Sequence, residues 1–279
     1  MKVLPFQIPK PERDALVFQE DKEYLFYDKL HQHDEIQVSF IVEGDGTLIV
    51  GDTINTYGPG DILVFGSNLP HVFKSTPKSD TLSHMLTLFF TRSNFGLDFF
   101  ELEELREARL FFKGIENGYK IKAHPMLINL FMHLKCCTKL ERFISLLRLL
   151  KALGKCERKP LSSFIYEKKY SDLEGKRMQD IMEYTMNNYN KDITLEGVAM
   201  IAAMTKNAFC KYFKKRTNKT YFRFLNELRI ENACKLLLSN ADYSIFEIAN
   251  SSGFNNISNF NRQFKTIKHM PPSEYKQRY

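Results

Sequence analysis

Two segments of the chain carry cationic, amide and hydroxyl side chains at helical spacing, the groups that recognise a nucleic acid. The first segment runs from Ile193 to Lys215 and the second from Tyr243 to Lys265. In each, a short apolar stretch is followed by a turn and then by a stretch whose polar positions are rich in Lys, Arg and Asn. Lysine and arginine pair with phosphates, and arginine and asparagine form paired hydrogen bonds with base edges. The pattern therefore predicts a helix-turn-helix that occurs twice.

Two helices are needed to present these polar side chains. Thr205 can cap a helix that starts at Lys206, and Asn256 can cap a helix that starts at Ile257. Aromatic residues recur three and four positions apart in both stretches, which predicts the buried face of each helix. The opposite faces hold the predicted DNA-binding residues: Lys206, Asn207, Cys210, Lys211, Lys214 and Lys215 in the first helix, and Ile257, Ser258, Asn261, Arg262 and Lys265 in the second.

Position along each helix predicts different contacts with DNA. Side chains in the first turns of a recognition helix contact base edges, whereas cations further along contact phosphates. Arginine is the better partner for guanine, and asparagine suits adenine. The residues predicted at base edges are Asn207, Cys210, Lys211, Ser258, Asn261 and Arg262; those predicted at phosphates are Lys214, Lys215 and Lys219.

The connections between these helices also follow recognisable patterns. An amphipathic stretch from Phe222 to Leu238 predicts a rigid helix between the two segments. Ser244 and Glu247 match a capping box that opens the next helix. Gly253 lies where that helix must end in a left-handed residue, a conformation that glycine adopts without steric cost. Ala203 occupies the turn of the first segment, so we expect slight strain there.

A second group of side chains capable of chemistry lies near the N-terminus. If this stretch is a strand, alternation places four polar residues on one face: His31, His33, Glu35 and Gln37. His71 follows a later turn. Such groups can line a ligand cavity, bind a metal ion or face water. We predict that His31, His33, Gln37 and His71 contribute to a small-molecule site, and we assign no metal and no cofactor.

Short apolar or alternating stretches between Gly- and Asp-rich turns fill residues 16–91. They predict an antiparallel β-barrel, which can enclose one small ligand. The predicted strands include Glu23–Phe26, Ile36–Val42, Thr47–Val50, Ile62–Phe65 and Leu82–Phe90.

Residues 98–154 instead show helical spacing of apolar residues, and residues 155–175 are polar without periodicity. The first stretch predicts helices at Phe99–Phe112, Met126–Leu134 and Leu140–Leu153. These helices either pack on the barrel or form a dimer interface, because the last one has more apolar surface than one contact face needs. The second stretch predicts a linker. The predicted fold class is α+β, with a barrel domain (1–97), a helical segment (98–154), a linker (155–175) and an all-α domain (176–279).

Charge is distributed unevenly along the 279 residues. Residues 176–279 hold 17 Lys and Arg against 9 Asp and Glu, a net charge of +8, whereas the preceding residues are near neutral. This balance suits a polyanion as the partner of the C-terminal domain. The five cysteines show no C-x-x-C spacing and predict free thiols in a reducing cytoplasm. No apolar run is long enough for a signal sequence or a membrane span.

The C-terminal motifs together resemble the DNA-binding domain of the AraC/XylS family of bacterial transcription regulators. The residues before them, with His31-Gln-His33 and the stretch from Gly58 to His71, resemble the cupin sensor domain at the front of AraC-type regulators. Metal-binding cupins have a glutamate where this chain has Gln37. The C-terminal matches are Leu225–Ile230, Ile248–Ala249, Gly253–Phe254, Phe260–Lys265 and Pro272–Tyr275.

The resemblance implies a cytoplasmic activator that is not an enzyme. Its two helix-turn-helix motifs would enter successive major-groove segments of double-stranded promoter DNA, and its front domain would sense a small molecule or form a homodimer. RNA polymerase is a further expected partner, and a membrane is not. Two alternatives stay open at this point: a metal-dependent cupin enzyme with a DNA-binding appendage, and a DNA-binding protein that needs no effector.

Overall fold

A computed structural model describes residues 14–77, 81–164, 171–239 and 243–278. The chain divides into two compact units, Met1–Asp172 and Leu173–Tyr279. The first is mainly β-sheet followed by helices, and the second is helical. Of the described helices, none has the length and apolar character that crossing a bilayer requires.

Nine strands of the first unit, within its described residues, form two antiparallel sheets. The larger sheet has the order β1-β7-β2-β5-β8-β9 and the smaller the order β4-β3-β6. The antiparallel sheets that the sequence predicts are therefore confirmed. The strands are β1 (Leu16–Glu23), β2 (Ile36–Glu43), β3 (Gly46–Val50), β4 (Thr53–Tyr57), β5 (Asp61–Phe65), β6 (His71–Ser75), β7 (Ser83–Phe90), β8 (Tyr119–Lys122) and β9 (Lys159–Pro160).

Both faces of the larger sheet are covered. On β2, Val38 and Phe40 belong to one apolar cluster, which also contains leucines of the following helices. Ile41, on the opposite face, belongs to a second cluster together with Leu48 of β3 and Phe73 of β6. Because every residue from Ile36 to Ile41 is buried, polar groups on this strand must find partners inside the protein.

Two predicted strand assignments are wrong. Residues 24–26 of the predicted strand Glu23–Phe26 are not a strand, because β1 ends at Glu23 after pairing with β7 along its whole length. Residues 32–35 form a loop, and His31 makes only an isolated bridge with His71. The convergence of the histidines therefore comes from this bridge and loop, and strand alternation plays no part in it.

The helical segment also differs from its prediction. Phe99–Phe112 is a series of 3₁₀ turns around one short helix, α1 (Arg106–Arg109), since Leu102 has an extended backbone, with φ −57° and ψ 138°, that interrupts a helix. Strand β8 lies within this segment and pairs with β5. Helices α2 (Pro125–His133) and α3 (Lys139–Gly154) form as predicted, α3 opening with a capping box between Thr138 and Glu141.

The first part of the predicted linker belongs to the first unit. Strand β9 pairs with β8, and the buried Asp52 carboxylate accepts hydrogen bonds from the segment after β9. Its donors include Oγ of Ser162 at 2.9 Å and Oγ of Ser163 at 2.6 Å. The backbone N–H groups of Ser163 and Phe164 donate to the same carboxylate. The prediction of a linker from residue 155 is therefore wrong up to residue 164, and residues 165–170 lie outside the described chain.

The second unit consists of helices packed around α7 (Tyr221–Ser239). The N-terminal half of α7 contacts α6 through aromatic rings, and its C-terminal half forms an apolar cluster with α8 and α9. Phe222 is exposed, so its predicted place on the apolar face is wrong. The other helices are α4 (Asp172–Asn188), α5 (Leu195–Ile201), α6 (Lys206–Thr217), α8 (Ile245–Ser251), α9 (Ile257–Lys268) and α10 (Pro272–Arg278).

Candidate nucleic-acid interface and histidine cluster

Helix α6 is held in place by its cap and its aromatic face. Thr205 accepts a hydrogen bond from the backbone of Ala208 at the start of the helix. Phe209 and Phe213 are fully buried, and both rings lie 5.4 Å from the ring of Tyr221 on α7. Since these contacts fix the rotation of α6 about its axis, they determine which residues remain on its outer face.

All six residues predicted on α6 are exposed. Lys211, Lys214 and Lys215 make no ion pair with any described residue, so their charges are available to a partner. Lys206 instead pairs with Glu196 on α5. Lys219 lies in a half-buried ion pair with Glu227, 2.7 Å between Nζ and Oε2. Its phosphate contact stays a prediction, and it would require this ion pair to open.

Helix α9 repeats this construction. Asn256 Oδ1 caps it by accepting from the backbone N–H groups of Ser258 at 2.8 Å and Asn259 at 3.1 Å. Phe260 and Phe264 are fully buried against α7. Ile257 is partly buried and packs against the same cluster, so its predicted place on the outer face is wrong. The residues exposed on α9 as predicted are Ser258, Asn261, Arg262 and Lys265.

Arg262 is oriented by a neighbour that the sequence prediction missed. Its guanidinium donates to Oδ1 of Asn259, one turn earlier, at 2.9 Å. This bond restricts the rotamers of a long side chain, which lowers the entropy that binding would otherwise cost. The sequence signal for this contact was the spacing of three residues between Asn259 and Arg262, since residues i and i+3 are neighbours on a helix.

The turns before the two helices differ in backbone conformation. Ala203 has φ +50°, and Gly253 has φ +88°. The strain predicted at Ala203 is thus visible as a left-handed non-glycine residue. A Cβ at Gly253 would lie 2.6 Å from the carbonyl oxygen of Tyr189 and 2.8 Å from Cα of Asn190, so this turn excludes any side chain.

The four residues predicted for a ligand site come together in the first unit. Gln37 Oε1 lies 3.1 Å from Nε2 of both His33 and His71. The rings of His31 and His71 are 4.2 Å apart. His31 and Gln37 line a cavity of about 350 Å³, whose other described walls come largely from β1, β7 and the residues after β1. The two remaining histidines lie behind it.

Burial keeps the three histidines neutral. It lowers the pKa of His31 to about 4 and also lowers the pKa values of His33 and His71, and repulsion from neighbouring histidines adds to the shifts of His31 and His71. Each Nδ1 lies within 2.9 Å of a backbone carbonyl oxygen. Because a carbonyl only accepts, Nδ1 carries the ring hydrogen and Nε2 presents a lone pair.

This tautomer creates a conflict with the amide oxygen of Gln37. Two imidazole lone pairs and an oxygen repel at 3.1 Å. Two arrangements relieve the repulsion. The amide can turn over, so that its nitrogen donates to both rings and its oxygen accepts from Ser39, or a cation can bind between the rings. One ring nitrogen from each of the three histidines lies within 4.8 Å of the others, so small movements of the rings would bring the three nitrogens to the distances at which one divalent ion binds imidazole.

Comparison with known protein families agrees with this geometry. A helix-turn-helix domain family matches residues 198–278, and a cupin domain family matches residues 27–85. The HTH-type transcriptional regulator YdeC of Bacillus subtilis is 25% identical over 265 residues, which cover 90% of this chain and 86% of that protein. The chain contains this helix-turn-helix domain and this cupin domain, and it is a DNA-binding transcription regulator.

The regulator is also similar to a second curated relative and to solved structures. An HTH-type transcriptional regulator in the cgkA 5′ region of Pseudoalteromonas carrageenovora is 36% identical over 102 residues, 37% of this chain and 60% of that protein. Among solved structures, ToxT of Vibrio cholerae covers 95% of the regulator, which in turn covers 98% of ToxT, at 14% identity and a TM-score of 0.37. The DNA-binding domain of AdpA in complex with a target DNA is 23% identical over 36% of this chain and 88% of that domain, with a TM-score of 0.34.

One set of polar residues in the regulator escaped the sequence prediction. Gln19, Asp21 and Glu23 alternate along β1 and line the cavity beside His31. No alternation of apolar and polar residues marks this strand, because residues 19–23 are all polar, and the first strand was therefore predicted to start at Glu23. The missed residues matter because they supply the cavity's carboxylates.

Proposed function

We propose that the regulator contacts two successive major-groove segments of double-stranded promoter DNA, with α6 in one and α9 in the next. The observation that carries this proposal is the exposure of cationic and amide side chains on both helices while their aromatic faces are buried against the same helix, α7. A helix whose opposite face is fixed in this way presents its outer residues as a rigid set.

In this proposal α6 contributes mainly positive charge and α9 contributes mainly hydrogen bonds to bases. Lys214 and Lys215, which pair with no described acidic residue, supply positive charge along α6, while Lys211 contacts a base edge. Phosphate neutralisation of this kind contributes affinity that depends on salt and not on sequence. On α9, Arg262 and Asn261 carry the donor geometries that discriminate guanine and adenine. Base discrimination should therefore come mainly from α9.

The experiment is selection of bound sites from random DNA, followed by titration of the best site. Wild-type protein should bind it at least a hundredfold more tightly than scrambled DNA. The double variant Lys211→Ala, Arg262→Ala should lose most of this preference. The matched control, Lys113→Ala with Arg106→Ala in the first unit, replaces exposed residues of the same types and should leave it unchanged. Equal loss in both double variants would reject the assignment.

We further propose that a small molecule in the barrel cavity controls DNA binding. The cavity of about 350 Å³ falls in the range of small-ligand sites, and aromatic and polar side chains line it together. A metabolite screen by thermal shift tests the proposal, since a ligand of the native state raises the melting temperature. A metabolite that raises the melting temperature must also change the affinity of the protein for the selected DNA site.

Dimerisation through α3 is supported by exposed apolar side chains on that helix. Leu140 and Ile144, four residues apart, are 69% and 42% exposed, although four leucines of the same helix are buried in the core. A second copy of the chain could cover these two residues. The position of such a dimer on a promoter would then determine its contacts with RNA polymerase. Sedimentation of wild type and Leu140→Glu distinguishes a dimer from a monomer.

The three histidines favour a second candidate function, binding of a divalent metal ion in the barrel. His31, His33 and His71 would hold the ion through Nε2, with each Nδ1 oriented by a carbonyl oxygen, as is usual for metal-bound histidine. The ion would supply Lewis acidity to a catalytic cupin, or a metal signal to a regulator. Elemental analysis of protein purified without chelator or affinity metal, with His71→Ala as the control, separates this candidate from a metal-free sensor.

A further inference from the structure

The cavity in the barrel is acidic on one side and aromatic on the other. β1 pairs with β7 in a register that places Asp21 opposite Met85 and Gln19 opposite Thr87. Alternation then directs Gln19, Asp21 and Glu23 to the same side of the sheet as Met85 and Phe89, and these five residues line the cavity. Its acidic side is therefore built into the strand.

Aromatic rings form another part of the cavity wall. Phe26, Phe73 and Phe89 are almost fully buried and line the cavity, with the rings of Phe26 and Phe73 5.8 Å apart. Tyr27 also lines the cavity but is 48% exposed, which places it towards solvent. The cavity can thus bury an apolar body against the rings while a polar end reaches β1.

No lysine or arginine lines this cavity among the described residues. Asp21 accepts a hydrogen bond from the side chain of Gln19 at 2.6 Å, which is a neutral partner. Burial raises the pKa of Asp21, and repulsion from Glu23 adds to the shift. A carboxylate in such surroundings gains the most from a ligand that brings a positive charge. A ligand carboxylate would instead add a third negative charge.

We propose that the cavity binds a small organic cation, an ammonium group on an apolar or aromatic body. The ammonium pairs with Asp21, and the body lies against Phe26, Phe73 and Phe89, where the ring faces also attract positive charge. This inference rests on the proposal that the barrel holds the effector, and it specifies the chemical class of that effector.

The test uses three probes of similar shape and different charge: benzylammonium, benzyl alcohol and benzoate. Each is titrated into the full chain by calorimetry at neutral pH with a chelator present, so that metal ions play no part. We expect benzylammonium to bind at least tenfold more tightly than benzyl alcohol, with benzoate the weakest. Asp21→Asn keeps the shape of the side chain and should reduce the preference for benzylammonium over benzyl alcohol at least fivefold.

Two controls show whether a change arises from the cavity. Benzyl alcohol should bind Asp21→Asn as it binds wild type, which reports that the cavity is still folded. Asp98→Asn removes an exposed carboxylate that does not line the cavity and should leave all three affinities unchanged. The proposal is overturned if benzoate binds as tightly as benzylammonium, if Asp21→Asn keeps the preference, or if no probe binds at millimolar concentration.

A separate measurement isolates the effector proposal. The affinity for the selected DNA site is measured with and without saturating benzylammonium. A cation that binds the cavity without changing DNA affinity contradicts effector control but supports the cavity assignment. DNA affinity that responds to benzoate or another anion through the cavity supports effector control and overturns the cation assignment.

Discussion

The two helix-turn-helix segments have the same architecture but different surfaces. The outer face of α6 carries three lysines that pair with no described acidic residue, whereas that of α9 carries serine, asparagine, one arginine and one lysine. The aromatic faces of both helices are buried against α7. Since the scaffold is shared, the difference in surface indicates that the first segment contributes mainly charge and the second mainly hydrogen-bond geometry.

The turns that precede α6 and α9 also differ. Gly253 is enclosed by the backbone of residues 189–190 and by Arg229, while Ala203 is exposed and tolerates a Cβ at φ +50°. The second turn therefore requires glycine for two reasons, its conformation and its neighbours. The first turn has only the conformational cost. Each of the following substitutions tests one side of this contrast.

Gly253→Ala should have the largest effect. A left-handed alanine costs about 1–2 kcal/mol, and the contact with Tyr189 and Asn190 adds an overpacking cost of about 1–3 kcal/mol. We expect the free energy of unfolding to fall by the sum of the two, measured by urea unfolding. Gly114→Ala is the matched control, because Gly114 has φ +74° and open space around its Cα. Equal losses in the two variants would show that the neighbours of Gly253 contribute nothing.

Arg262→Ala should have the next largest effect, a loss of about 1–3 kcal/mol of binding free energy at one base pair. The reason is the loss of a paired hydrogen bond to a guanine. The measurement is binding to the selected site and to its single-base variants. The preference for one base should weaken at one position of the site only. Asn259→Ala should produce a weaker form of the same change, because it removes the hydrogen bond that orients Arg262. A uniform loss over all variants would assign Arg262 to a phosphate.

Lys215→Ala should have a smaller effect that is equal for every DNA sequence. Removing one phosphate contact lowers the slope of log affinity against log salt by about 0.9. Titrations at several salt concentrations, on the selected and the scrambled DNA, measure this slope. Lys113→Ala in the first unit is the control. A loss confined to the selected DNA would place Lys215 at a base.

Ala203→Gly should have the smallest effect, an increase in stability of about 0.5–1 kcal/mol. Glycine removes the steric cost of the left-handed conformation at this position. Ala208→Gly, in the first turn of α6, should instead destabilise by up to about 1 kcal/mol, because glycine is a poor helix former. Unfolding in urea compares the two variants, and a loss in both would show that Ala203 is not strained.

Much of this contrast was predictable because it depends on local rules. Helix caps at Thr205 and Asn256, the capping box at Ser244 and the left-handed Gly253 follow from side-chain types within a few residues. The aromatic spacing then determined the outer faces. The prediction placed Ile257 on the outer face of α9, but its side chain packs against the apolar core. Periodicity alone does not show that an apolar residue next to the helix cap can make this contact.

The barrel was less predictable because its site depends on distant pairing. His31 meets His71 through a bridge between residues forty positions apart, and Asp21 faces the cavity because of its register with β7. Local alternation grouped His31, His33 and Gln37 for the wrong reason, a continuous strand, and it did not include His71, which the bridge brings to them. The clamp between Asp52 and Ser163 joins a turn to a segment over a hundred residues later, so a polar, non-periodic stretch was mistaken for linker.

The most direct measurement is the affinity for the selected DNA site after five base pairs are inserted between its two conserved segments. Half a helical turn moves one major-groove segment to the opposite side of the duplex. If α6 and α9 bind successive segments as one rigid pair, affinity should fall to that of a site with a single segment. Unchanged affinity for the spaced site would contradict simultaneous binding by both helices.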